Sequence, residues 1–200
     1  MIKKLSKDQY FKCIQPIMLS LYHSDTPDIY TVPFAKLFEK SLLIYEYAGL
    51  PNDDLLDQLV KVSREFGDSG FYLSYPLPNP RFDPRFAQYT YHWFVHFDDV
   101  EAYKDNHEMY ILDFILLSPN GRWALFPSDE TFAVLSGNSD FINRIIEGIP
   151  NIDNNVINFL DNWKLQQKFS EKINVSWVKP LIHNIYGQES INLLERVDFG

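Results

Sequence analysis

The sequence predicts an α+β fold: a single, mostly antiparallel β-sheet of about five strands flanked by helices from both termini. Three observations point there. Apolar residues recur at helical spacing in the first and last thirds of the chain, between about 5 and 66 and between about 139 and 197. The middle third, 70–136, instead holds short runs of β-branched and aromatic residues separated by turn residues. The links between those runs are mostly short, which favours antiparallel neighbours, because parallel ones require long crossovers. Two hundred residues are enough for a proper core, and a single domain over 1–200 is expected.

At the N-terminus, Ser6 and Gln9 have capping-box spacing, with Leu5 and Tyr10 placed as the apolar staple. Tyr10, Phe11, Ile14, Ile17, Met18 and Leu21 follow helical spacing, and Pro16 should kink or end that helix. Cys13 lies inside it and reads as a small packing residue, since nothing nearby would stabilise a thiolate. Phe34, Leu37, Phe38, Ser41, Leu42 and Tyr45 mark one face of a second predicted helix, from about Pro33 to about Gly49. A third begins near Asn52. Asp53 and Asp54 fall in its first turn, where the helix dipole favours negative charge; Leu55, Leu56, Leu59, Val62 and Phe66 form its buried stripe, and Gly67 closes it.

Strands are predicted at Phe71–Tyr75 and Tyr89–Phe97. Between them, 76–84 carries four prolines and must run extended along the surface; with Arg81, Arg85 and its aromatics it is a candidate binding loop. Tyr110–Leu117 and Arg122–Phe126 flank Ser118-Pro119-Asn120-Gly121, a hairpin signal because Asn-Gly accepts the positive φ that tight turns require. The first arm is apolar on both faces except for Asp113, so both sides of it need a cover. Thr131–Leu135 is a further strand. Ser136-Gly137 breaks it, and Asn138 or Ser139 caps a helix over 139–147. Helices near 153–168, 175–187 and 188–197 complete the chain, with the middle one kinked or started near Pro180.

The net charge of −9 is unevenly placed. Between Asp98 and Asp161 there are twelve acidic and three basic residues, and the rest of the chain is balanced. Such a surface repels phosphate backbones and attracts basic proteins or cationic ligands, so no nucleic-acid partner is expected. One cysteine rules out an intramolecular disulfide and points to a cytoplasmic protein. Lys7 and Asp8 interrupt the N-terminus too early for a signal peptide, and no segment has the length of a membrane span, so no membrane partner is expected.

Candidate chemistry is sparse. His92 and His96 could share a metal on a helix; on a strand they lie about 13 Å apart, on one face with Phe94 between them. Gly67-Asp68-Ser69-Gly70 matches the tetrapeptide around the nucleophile of chymotrypsin-like proteases, but the helical N-terminal third excludes that double barrel. Asp98, Asp99, Glu101, Asp105 and Glu108 lack the glycine and the ligand spacing of a calcium loop. Asp113 must find a partner or face an opening, since an unpaired buried carboxylate is costly. No catalytic, cofactor-binding or metal-binding motif appears.

Leu117-Ser-Pro-Asn-Gly-Arg-Trp-Ala-Leu-Phe-Pro-Ser-Asp-Glu130, then Val134-Leu-Ser-Gly137 and Asp140-Phe-Ile142, resembles a pattern of small bacterial immunity-type proteins from toxin–immunity systems. Those proteins pair a strand–Gly–Trp hairpin with a later glycine and a Phe-bearing helix. The match covers about 25 residues, and Ala124 stands where such patterns often have glycine. The resemblance implies a cytosolic, non-enzymatic protein that binds and neutralises a cognate toxin. The acidity fits a basic toxin, with Asp98, Asp99, Glu101, Asp105 and Glu108 as the partner-binding residues. The alternative expectation is a small-ligand-binding protein or enzyme whose pocket on the sheet is lined by Tyr and His with Asp113 as anchor; a homo-oligomeric scaffold is a third.

Overall fold

A computed structural model describes residues 2–17, 38–47, 51–74, 92–105, 114–128, 131–170 and 173–199. The fold is α+β: one antiparallel sheet of seven strands with helices on both sides. The strands are β1 (Lys3–Lys4), β2 (Lys40–Tyr45), β3 (Gly70–Ser74), β4 (His92–His96), β5 (Ile115–Leu117), β6 (Trp123–Pro127) and β7 (Phe132–Gly137). Their order across the sheet is β1-β4-β3-β5-β6-β7-β2. The expected 70–136 core of the sheet is present, and both borders come from the N-terminal segment instead.

The predicted helix over 33–49 is therefore corrected: within its described part, 38–47, Lys40–Tyr45 is a strand paired antiparallel with β7 from Lys40↔Gly137 to Tyr45↔Phe132. Both faces of β2 are covered, so its sequence, Ser-Leu-Leu-Ile-Tyr, is nearly continuous in apolar residues. A continuous apolar run satisfies a period of 3.6 as readily as a period of 2. β1 was also not anticipated, being only two lysines long. The proline-rich loop 76–84 and Asp113 lie outside the described residues.

The helices are α1 (Lys7–Gln9), which continues as a π-helical turn over Tyr10–Ile14, α2 (Asp53–Glu65), α3 (Val100–Lys104), α4 (Ser139–Gly148), α5 (Asn155–Phe169), α6 (Val178–Tyr186) and α7 (Glu189–Val197). Ser6 and Gln9 form the predicted capping box: the Gln9 amide donates to Ser6 Oγ (3.3 Å), and the Ser6 amide donates to Gln9 Oε1 (3.0 Å). Asn52 caps α2 by accepting from the Leu55 amide at 2.9 Å. Pro180 sits in the first turn of α6, where no intrahelical N–H is required of it.

Side chains alternate across the sheet and so define two cores. Leu42, Ile44, Phe71, Leu73, Val95, Leu116, Trp123, Leu125, Ala133 and Leu135 point to one face, under α2, α3 and α4. The opposite face is shared. At the β2/β7 end, Leu43, Phe132 and Val134 pack against α5, α6 and α7. Toward β5 and β6, Ile115, Leu117, Ala124 and Phe126 pack against Leu5 and Ile14 of the N-terminal segment. The result is three layers, helix–sheet–helix.

The β5–β6 hairpin forms as read. Gly121 takes φ +65°, its amide donates to the Ser118 carbonyl at 3.0 Å, and the Ser118 amide donates to the Trp123 carbonyl at 3.0 Å. The residues of the immunity-type pattern meet in the core: Gly137 pairs with Trp123, and the Phe141 ring stacks on the Trp123 ring with centroids 5.6 Å apart. Their role in this fold is to dock α4 on the hairpin.

Candidate functional site

The acidic segment does not form a loose connection. Phe97–Asp99 is a turn of 3-10 helix that runs into α3, and both pack beside α2. The Asp98 amide donates to His96 Nδ1 at 3.2 Å, so His96 acts as a cap for this turn. His92 lies at the other end of β4, buried under the Tyr10 ring with centroids 4.3 Å apart, and its Nδ1 is 2.8 Å from Ser74 Oγ. Burial pushes the His92 imidazole down to about 4, so it is neutral at ordinary pH. The two histidines serve separate local structures, consistent with their spacing along a strand.

Lys104 is the centre of the acidic region. Its Nζ lies 3.0 Å from Asp57, 3.1 Å from Glu101 and 3.5 Å from Asp53, joining the start of α2 to α3. Burial works against the charge on Lys104, but the hydrogen bonds to Asp57 and Glu101 and the negative charges of Asp57 and Asp53 outweigh it and raise its basicity. Arg64, further along α2, donates to Asp98 at 3.0 Å. Asp98 is thus neutralised from elsewhere in the fold, a partial correction to a ridge built only from 98–108. Three carboxylates on one ammonium still leave an excess of negative charge, and α2 contributes two of them. Asp53, Asp57, Asp98 and Glu101 keep 66–82% of their side-chain area exposed. Asp105 is exposed at the end of α3, Asp99 is half-buried, and Glu108 lies outside the described residues. Nζ of Lys104 occupies the point where the carboxylates converge, and among the described residues no group of three or more His, Cys, Asp or Glu forms a metal site.

Asp68, from the protease-like tetrapeptide, is buried and tethers the β5–β6 hairpin. Its carboxylate accepts from Ser118 Oγ (2.9 Å) and from Asn120 Nδ2 (2.6 Å). Ser69 points to solvent. The tetrapeptide is a structural clamp.

A second candidate region is a cleft of about 830 Å³ beside β2, bounded by the start of α5, the length of α7, the end of α6 and Ile146 of α4. Sequence reading missed it because its walls come from residues 38–42, 146, 153–157 and 184–196, which only the tertiary fold brings together. Tyr186 Oη accepts from the Leu43 amide at 3.1 Å on the sheet-edge side of β2. Burial is the main cause that raises the Tyr186 hydroxyl pKa; the Leu43 hydrogen bond opposes it, and the charges of Asp153 and Glu189 add to it. The lining includes Tyr186 and Asp153 and contains no histidine.

Compared with known proteins, the chain matches no family model, no curated protein and no solved structure. Among the described residues, no helix is long and apolar enough to cross a membrane.

Proposed function

We propose that this chain is a non-enzymatic binding protein that captures a basic protein partner on the α2–α3 ridge, acting as a cytoplasmic immunity protein against a basic toxin domain. The observation that supports this reading is the Lys104 cluster, where carboxylates from two helices converge yet stay largely in water. Charges within about a Debye length of one another, roughly 8 Å at physiological salt, act on an approaching partner as one field. Because they remain hydrated, their contribution falls on the rate of encounter more than on final affinity. The immunity assignment adds the resemblance over 117–142, whose Trp123, Gly137 and Phe141 pack together in the core here and leave the ridge as the recognising surface.

The test is to recover the partner by affinity purification from the native host and measure association with the wild-type chain and with an Asp98→Lys, Asp99→Lys, Glu101→Lys variant. At low salt the variant should associate about tenfold more slowly, and the difference should shrink as salt rises. Equal association rates for the two proteins at low salt would remove the ridge from the reading.

A further inference from the structure

Among the described residues β2 is the last strand of the sheet, and its outer side faces the cleft. In an antiparallel strand the backbone groups of alternate residues point the same way. Leu43 directs its N–H outward to Tyr186 Oη, so Ser41 also presents its N–H and C=O outward, along the part of β2 that lines the cleft. Tyr186 therefore plugs the edge at Leu43 and leaves a short stretch beyond it for pairing.

The facing wall is α7. Glu189, Asn192, Leu193 and Arg196 occupy positions i, i+3, i+4 and i+7 and all line the cleft. The acidic end adjoins Tyr186, whose hydroxyl feels both Glu189 and Asp153. Arg196 stands at the other end, about 10 Å away by helical rise. Among the described residues Arg196 makes no ion pair, and the side-chain amides of Asn154, Asn184 and Asn192 make no hydrogen bond. Donors and acceptors of this kind suit the N–H and C=O groups of a bound backbone.

We propose that this cleft takes an extended segment of a partner protein carrying a basic side chain and, two residues along on the same face, a carboxylate. Two residues of extended chain span about 7 Å, and the reach of a long basic side chain covers the rest of the distance between the acidic and basic ends of the α7 wall. The segment pairs with the backbone at Ser41, the asparagine amides bracket its peptide groups, Asp153 and Glu189 receive its cation, and Arg196 receives its carboxylate. A volume of about 830 Å³ lies in the range of ligand-sized sites. The inference does not rest on the ridge and can fail separately from it.

The experiment uses the isotope-labelled full chain, with backbone amide spectra recorded during titration with three capped peptides: Gly-Lys-Val-Glu-Thr-Gly, Gly-Gln-Val-Gln-Thr-Gly and Gly-Lys-Val-Lys-Thr-Gly. The Lys/Glu peptide should shift the Ser41 and Asn192 amides and bind roughly tenfold tighter than the other two, since both of its ends meet opposite charge. In Arg196→Glu, an exposed position on α7, the preference should pass to the Lys/Lys peptide. No shift at Ser41 with any peptide at millimolar concentration would overturn the proposal. So would equal affinity for all three, shifts confined to the α2–α3 ridge, or an unchanged preference in Arg196→Glu.

Discussion

The α2–α3 ridge and the β2 cleft both carry charge, and they arrange it in opposite ways. On the ridge, Asp53, Asp57 and Glu101 crowd one ammonium, and the surplus is of a single sign on a water-facing surface. In the cleft, Asp153 and Glu189 are separated from Arg196 by the length of a helix face, and strand backbone lies between the walls. A field of one sign attracts at a distance and has little power to fix a register, whereas spaced opposite charges beside backbone groups dictate one. Placement, more than the amount of charge, separates a surface that speeds encounter from one that selects a sequence.

The largest expected effect lies outside both regions and sets the background for comparing them. His92 has a folded-state pKa of about 4 against an ordinary 6.5, so the unfolded chain takes up its proton first. Stability should decline as pH falls below about 6.5, and the loss should be complete below about 4 at about 3 kcal/mol. Urea midpoints across that window check it, and His92→Asn should flatten the slope contributed by this group. Next in size is Tyr186→Phe, which deprives the buried Leu43 amide of its acceptor and should cost about 2 kcal/mol in urea denaturation. A ridge reversal at Asp98, Asp99 and Glu101 should cost far less stability; a similar loss would show that the ridge holds the fold together. The reversal acts instead on association, by about tenfold at low salt. Smallest is Lys104→Met, which releases three carboxylates from their counter-charge. It should speed capture of a basic partner about twofold while lowering stability by about 1 kcal/mol, read from stopped-flow mixing and thermal melts.

Much of the architecture was legible because its signals are local. The Asn120-Gly121 turn, the Ser6/Gln9 capping box and the start of α2 near Asn52 each depend on residues within a few positions of one another, and all appear as read. β2 was misread because a strand covered on both faces loses the alternation that would have marked it. The ridge was half legible. The density of acids after Asp98 is visible in the chain, but nothing local shows that Lys104 draws in Asp53 and Asp57 from about fifty residues earlier. Asp53 was assigned to the helix dipole, and it does lie in the first turn of α2; a single side chain serves both roles. Asp68 carried no signal beyond a chance tetrapeptide, since its partners Ser118 and Asn120 are some fifty positions away. The cleft had none.

Both outer borders of the sheet, β1 and β2, belong to the first 45 residues, while the five inner strands lie between Gly70 and Gly137. During synthesis β2 leaves the ribosome long before β7, its sole neighbour in the sheet among the described residues, has been made. At about 5–20 residues per second, that wait is on the order of 5–20 s. Throughout it, the apolar run over 42–45 has no native mate to zip against, which makes it a natural client for a chaperone at the tunnel exit. Deleting the first 45 residues should leave β4 and β7 as naked borders and drive the remainder into oligomers, and a monomeric truncated chain on a sizing column would show that the borders are dispensable.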